Sequence, residues 1–333
     1  MKIAVLSPVA WRTPPRHYGP WEQMASNVAE GLVKNRFDVT LFATGDSVTA
    51  GTLDAVIYRS YEEDRTQDVK VVECLHISNL MEKASEFDLI HNHFDFLPLT
   101  YSRLIKTPII TTIHGFSSQK IIAVYKKYNT TSHYVSISNS DRSPELNYLA
   151  TVYNGLNTEN FPFIDEPEDY LLFFGRIHPD KGTSEAISIA KQSNKKLIIA
   201  GIIQDENYFK ECVEPFLCDD IVFIGHAEPD KRKELLGKAA ALLHPINFNE
   251  PFGLSVAEAM LCGTPVIAFN RGSMPELIKH EYSGFLVNDI GEAVNAVTAI
   301  KTINRCDCMN WATENFSQEK MVSDYIKAYK QIL

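Results

Sequence analysis

At 333 residues, 45% hydrophobic and 22% charged, the chain has the balance of a folded globular protein and is too long for one ordinary α/β core, so two domains of about 150 residues are expected. Its net charge is −10, and the excess acid lies in one half: residues 1–154 carry 15 basic and 16 acidic side chains, residues 155–333 carry 17 and 26. Without a lysine and arginine stripe to neutralise a phosphate backbone, a nucleic-acid partner is not expected.

The chain opens on the apolar run Ile3–Leu6, which Pro8 ends before Trp11-Arg12, so it reads as a first strand rather than a signal peptide. No run of about 18 apolar residues occurs, and no membrane span is expected. Six cysteines (Cys74, Cys212, Cys218, Cys262, Cys306, Cys308) form no Cys-x-x-Cys pair; they read as reduced thiols of a cytoplasmic protein. Cys306-Asp307-Cys308 lacks the second ligand pair of a metal site.

Strand-like runs then alternate with helical patterns in both halves, which predicts two doubly wound, Rossmann-like domains with parallel sheets. In the first half the strands fall near Ile3–Leu6, Val39–Phe42, Leu89–His91, Ile109–Ile113 and Tyr134–Ser136. Those of the second are Leu171–Phe174, Leu197–Ala200, Ile221–Ile224, Ala241–His244 and Pro265–Ala268, with Phe285–Val287 as an addition. Between the sets, Asn154-Gly155-Leu156-Asn157 and the two prolines of 161–167 mark a linker. The division predicted is 1–155, 156–316 and a terminal segment 317–333, where Met321, Tyr325 and Ala328 stand at helical spacing.

Several segments carry possible chemistry. In Arg16-His17-Tyr18-Gly19-Pro20-Trp21-Glu22, Pro20 suits the first turn of a helix running to about Leu32. Tyr18 and Trp21 offer a stacking surface for a sugar, or simple core packing. His91, His93 and Asp95 read as polar residues of a cleft wall or core rather than as metal ligands. His114 ends the strand Ile109–Ile113. Gln119 to Lys127 mixes apolar and basic residues and reads as a solvated helix face before a membrane-docking one. Arg176 and Lys181 follow a strand and the turn residue Gly175, so both reach the carboxyl ends of the second sheet, where open α/β sheets bind ligands. Five residues apart, a guanidinium and an ammonium can flank one diphosphate.

The most informative segment is Glu250-Pro251-Phe252-Gly253-Leu254-Ser255-Val256-Ala257-Glu258. Gly253 should open a helix whose first amides lack partners and attract an anion. Glu258 then falls among Leu254, Val256, Ala257, Ala259, Met260 and Leu261, where an unpaired carboxylate costs several kcal/mol, so a donor such as a sugar hydroxyl is expected beside it.

This segment, Gly175-Arg176-Ile177-His178-Pro179-Asp180-Lys181-Gly182 and the stretch Ala259 to Ala268 together resemble the retaining glycosyltransferases of family four, with their Glu-x7-Glu signature and two-domain GT-B fold. The resemblance implies transfer of a sugar from a nucleoside-diphosphate sugar to a hydroxyl acceptor, with UDP-glucose the first guess and GDP-mannose the second. It implies catalytic roles for Glu250, Arg176, Lys181 and His114. Donor binding falls to Gly19, Glu258, the backbone of Phe252, Gly253 and Leu254, and the loop of Gly225 and His226. It also implies that the terminal helix crosses back to the first domain. No Asp-x-Asp occurs, so neither a metal nor another cofactor is expected. The Gly19 loop departs from the family's adjacent glycines, because Pro20 removes a backbone donor. Alternatives within the fold are a glycosyl phosphorylase, a nucleotide-sugar epimerase or a non-catalytic binder. A nicotinamide enzyme lacks its Gly-x-Gly-x-x-Gly.

Overall fold

A computed structural model describes residues 1–333 as two compact units, Met1–Gly155 with Gln318–Leu333, and Leu156–Ser317. The first contains a parallel sheet of seven strands: β1 (Lys2–Leu6), β2 (Asp38–Phe42), β3 (Thr52–Asp54), β4 (Leu89–Asn92), β5 (Ile109–Ile113), β6 (His133–Ser136) and β7 (Tyr148–Thr151). Their spatial order is β3-β2-β1-β4-β5-β6-β7. The second sheet has six parallel strands: β8 (Tyr170–Phe174), β9 (Lys196–Ala200), β10 (Ile221–Phe223), β11 (Ala241–His244), β12 (Val266–Phe269) and β13 (Gly284–Val287), ordered β10-β9-β8-β11-β12-β13. Five strands were expected in the first half. The two that composition did not reveal, β3 and β7, are short edge strands with no fully buried residue, so they lack the apolar run that marks a central parallel strand.

In each sheet the order reverses beside the first strand of the set, and that reversal leaves a crevice at the carboxyl ends. In the second unit β8 pairs with β11, Leu171 opposite Ala241 and Phe173 opposite Leu243. The loops that leave these two strands therefore start side by side, although far apart in sequence.

The helix Gln318–Ile332 belongs to the first unit. Its Met321, Val322, Tyr325, Ala328 and Tyr329 are buried against Ile3, Val5, Val28 and Leu32 of the first strand and helix. Its two tyrosines also satisfy polar core atoms. Tyr329 Oη lies 2.7 Å from His91 Nδ1, and Tyr325 Oη lies 2.7 Å from Thr112 Oγ1. No helix is long and apolar enough to cross a membrane.

Candidate functional site

In the second unit the loop after β8 carries Arg176 and Lys181, and the loop after β11 carries Glu250. Two backbone contacts lock the loops together. Asn247 N donates to Asp180 O at 2.7 Å, and Gly182 at φ 75° brings its Cα so near Pro245 that a β-carbon would stand 1.9 Å from the Pro245 carbonyl oxygen. Only glycine fits there.

Lys181 Nζ then donates to Glu250 Oε2, with both side chains largely out of solvent (14% and 13% exposed), and the same ammonium lies 4.7 Å from the Phe248 ring centre. Burial alone would raise the Glu250 carboxyl. His244 and Lys181 outweigh it and bring the group to about 2. His244 Nε2 is 3.7 Å from Glu250 Oε2, beyond hydrogen-bond length, and burial pushes this imidazole toward its neutral form, so Lys181 is the partner that decides. Ser273 N fixes the loop from the other side by donating to Glu250 O at 3.0 Å.

Four residues further on, Leu254–Leu261 forms the expected helix, with Gly253 as its left-handed N-cap and no side chain capping it. Its first amides remain oriented toward whatever sits at that end. Phe252 is buried and its carbonyl accepts from Ser273 Oγ at 2.7 Å, so of this triplet it is a backbone anchor. Glu258 is buried at 4% exposure, as its apolar neighbours require.

The partner of Glu258 corrects the sequence reading. Arg232 NH2 donates to Glu258 Oε2 from the helix Pro229–Lys238, so the carboxylate has a cation partner within the protein, and a ligand hydroxyl would add to that pair rather than supply its first donor. Burial still raises the Glu258 carboxyl, with Arg232 working against that rise. The Arg232 guanidinium also covers the Phe174 ring at 5.0 Å, and its Nε is buried with no acceptor in the protein. It is a functional candidate that sequence reasoning missed. Lys231-Arg232-Lys233 reads as a solvated charge run, and only the position of Arg232 on its helix distinguishes it.

Arg176 donates to Gln204 Oε1 rather than to either glutamate. Gly225, at φ 71°, has open space where a β-carbon would be, and it leads into the exposed His226. The second unit thus joins Lys181 to Glu250, and sets Glu258 on the helix that Gly253 opens, while Arg176 is held separately.

In the first unit His114 follows β5. Its Nε2 lies 2.9 Å from His93 Nδ1, and its ring stacks on Trp21 at 5.7 Å. His93 in turn lies over His91, ring centres 4.1 Å apart, and His91 Nε2 is 2.8 Å from Thr112 Oγ1. Burial lowers all three, His91 and His114 to about 3, so they are neutral imidazoles suited to hydroxyl partners rather than to phosphate. Gly19, at φ 147°, N-caps the helix Pro20–Lys34. A β-carbon there would meet Pro15 Cβ at 2.9 Å and Glu22 Oε2 at 3.0 Å, so this position requires glycine.

Comparison with known proteins bears on the fold that carries these residues. Residues 157–309 fit the sequence profile of glycosyl transferases group 1. The matched stretch lies wholly within the second unit. An uncharacterized glycosyltransferase of Methanocaldococcus jannaschii is 26% identical over 86% of this chain and 85% of its own length. Among solved structures, sucrose-phosphate synthase from Thermosynechococcus elongatus superposes with a TM-score of 0.79 at 18% identity, covering 99% of this chain and 98% of that one. Anabaena HepE, solved with UDP and glucose, gives 0.73 at 18% identity, covering 99% and 100%. These likenesses establish the GT-B fold, and the stretch that fits the group 1 profile holds the Lys181–Glu250 and Arg232–Glu258 pairs.

Proposed function

We propose that the chain is a retaining glycosyltransferase that moves a hexose from a nucleoside-diphosphate sugar, UDP-glucose first and GDP-mannose second, to a hydroxyl acceptor without a metal. The observation that carries this reading is the pairing of Lys181 with Glu250 beside the uncapped helix at Gly253, inside the group 1 domain. A diphosphate needs cations and free amides, and a sugar needs a fixed ionised carboxylate. In the step proposed, the bond between the anomeric carbon and the phosphate oxygen breaks, and its electron pair leaves with the nucleoside diphosphate. The acceptor oxygen bonds to the same face of that carbon and passes its proton to the departing phosphate. Lys181 and Arg176 stabilise the charge that develops there, the task that a metal performs elsewhere. Glu258 and Arg232 hold the nucleoside, and the bound UDP in the Anabaena structure supports uridine.

The test is a thermal-shift panel of UDP-glucose, UDP and GDP-mannose in the presence of a chelator, followed by measurement of nucleoside diphosphate release. A uridine compound should raise the melting temperature through linkage, and Glu258→Gln should reduce its affinity about tenfold, as loss of a charged hydrogen bond does. Absence of any shift across the panel defeats the reading. Product formed only with inorganic phosphate would identify a phosphorylase, and an altered sugar without acceptor an epimerase.

A further inference from the structure

The first unit holds a cavity of about 440 Å³, within the range of small-molecule sites. Trp11, Tyr18 and Trp21 line it with ring surface, and Glu22, Glu73 and Asp95 line it with carboxyls. No lysine, arginine or histidine is among its lining residues. Arg16, on the same loop as Tyr18, is committed elsewhere: its guanidinium donates to Glu63 at 2.9 Å and to Asp46 at 3.1 Å.

Glu22 is the most telling member. It is 3% exposed, meets no cation, and receives no hydrogen bond from any side chain; Trp11 N donates to its Oε1 at 3.1 Å. Its donors are backbone amides alone, its own and that of Trp11, so a carboxyl so placed on a cavity wall has acceptor capacity left for a ligand. Asp95 has the Tyr125 hydroxyl and the Phe96 amide, Glu73 has the Tyr61 hydroxyl, and Glu73 lies near enough to Asp95 for the two to repel. Burial lifts Glu22 to about 7 and Asp95 to about 6. Trp11 and Tyr18 meet edge to face at 6.3 Å. Aromatic faces beside carboxyls suit a ring that bears donors, and suit an ammonium better still. Above pH 7, where these groups are ionised, an anion brought among them meets like charge with no cation on the lining to offset it.

We propose that this cavity seats the acceptor, and that it admits a saccharide offering hydroxyl or ammonium donors while rejecting one that carries phosphate or carboxylate. The term acceptor rests on the transferase reading above, but the selection by charge does not. The protein contains three tryptophans, of which Trp11 and Trp21 line the cavity and Trp311 lies in the other unit. Labelling the full chain with 5-fluorotryptophan therefore gives two reporters and one internal reference for fluorine NMR.

Glucosamine, glucose and glucose 6-phosphate, titrated to about 0.1 M to capture millimolar binding, differ chiefly in charge. The Trp11 and Trp21 signals should move with glucosamine and glucose, in that order of affinity, and should need at least tenfold more glucose 6-phosphate, roughly the effect of like charge at a binding surface. The Trp311 signal should stay fixed. Glu22→Gln should narrow the gap between glucosamine and glucose 6-phosphate. Glucose 6-phosphate binding as well as glucose, no movement with any sugar, or an unchanged gap in Glu22→Gln overturns the proposal. None of these results depends on the nucleotide-sugar panel, so the two readings fail separately.

Discussion

In the second unit each buried carboxylate of the candidate site meets a cation, Glu250 with Lys181 and Glu258 with Arg232. In the first unit Glu22 is buried and Asp95 half-buried, with no cation paired to either. Both units are parallel sheets flanked by helices, so the fold does not dictate this difference. The loops do: those after β8 and β11 bring opposite charges together from neighbouring strands, whereas the loop before Pro20 and the turn after β4 bring acids and rings together. A site with local cations is prepared for a ligand that carries negative charge, and a site with unpaired acids for one that carries donors.

Removing Lys181 tests the paired side most severely. Lys181→Met should lower transfer by roughly 10² to 10³, the loss seen when one charge-stabilising group is removed, measured as acceptor-dependent release of nucleoside diphosphate. Retained turnover would detach the Lys181–Glu250 pair from catalysis.

Next, the two units should respond to pH with opposite sign. Glu250 has a folded value near 2, below the ordinary 4.5, so its stabilisation is present above pH 4.5 and is lost as pH falls toward 2. Glu250→Gln should therefore cost about 3 kcal/mol in urea unfolding at pH 7, and the difference should shrink as pH approaches 3. A cost independent of pH would show that packing, not charge, explains it.

Glu22 is the reverse case. Its folded value near 7 lies above 4.5, so stability is lost as pH rises through that interval. Glu22→Gln should match the parent near pH 4.5 and gain about 2 kcal/mol on it by pH 8, somewhat less than the full shift because the Trp11 amide loses a charged acceptor. If the variant is less stable at pH 8, a counterion for Glu22 has been overlooked and the contrast between the units fails.

Much of the fold was legible because its central strands are continuous apolar runs, as Ile3–Leu6 and Leu171–Phe174 are. The edge strands Thr52–Asp54 and Tyr148–Thr151 were not, since neither buries a whole face. At the site, Glu258 on a buried helix face and the glycine before that helix follow from local pattern. Its cation does not, because Arg232 and Lys231 look alike in a string and differ only in the direction a helix points them. Glu22 was equally opaque: an acid in a first helical turn is ordinarily solvated, and nothing local says that Trp11 will close over this one.

The helix Gln318–Ile332 carries a consequence for biosynthesis. Residues 1–155 are synthesised before the second unit but lack Met321, Val322, Tyr325, Ala328 and Tyr329 until the segment 318–333, which follows that unit in sequence, is made. Until then His91 has no Tyr329 hydroxyl beside it, and the apolar groove between the first helix and its sheet stands open. The later-made unit, whose strands and helices are contiguous in sequence, can consolidate while the earlier one is still waiting.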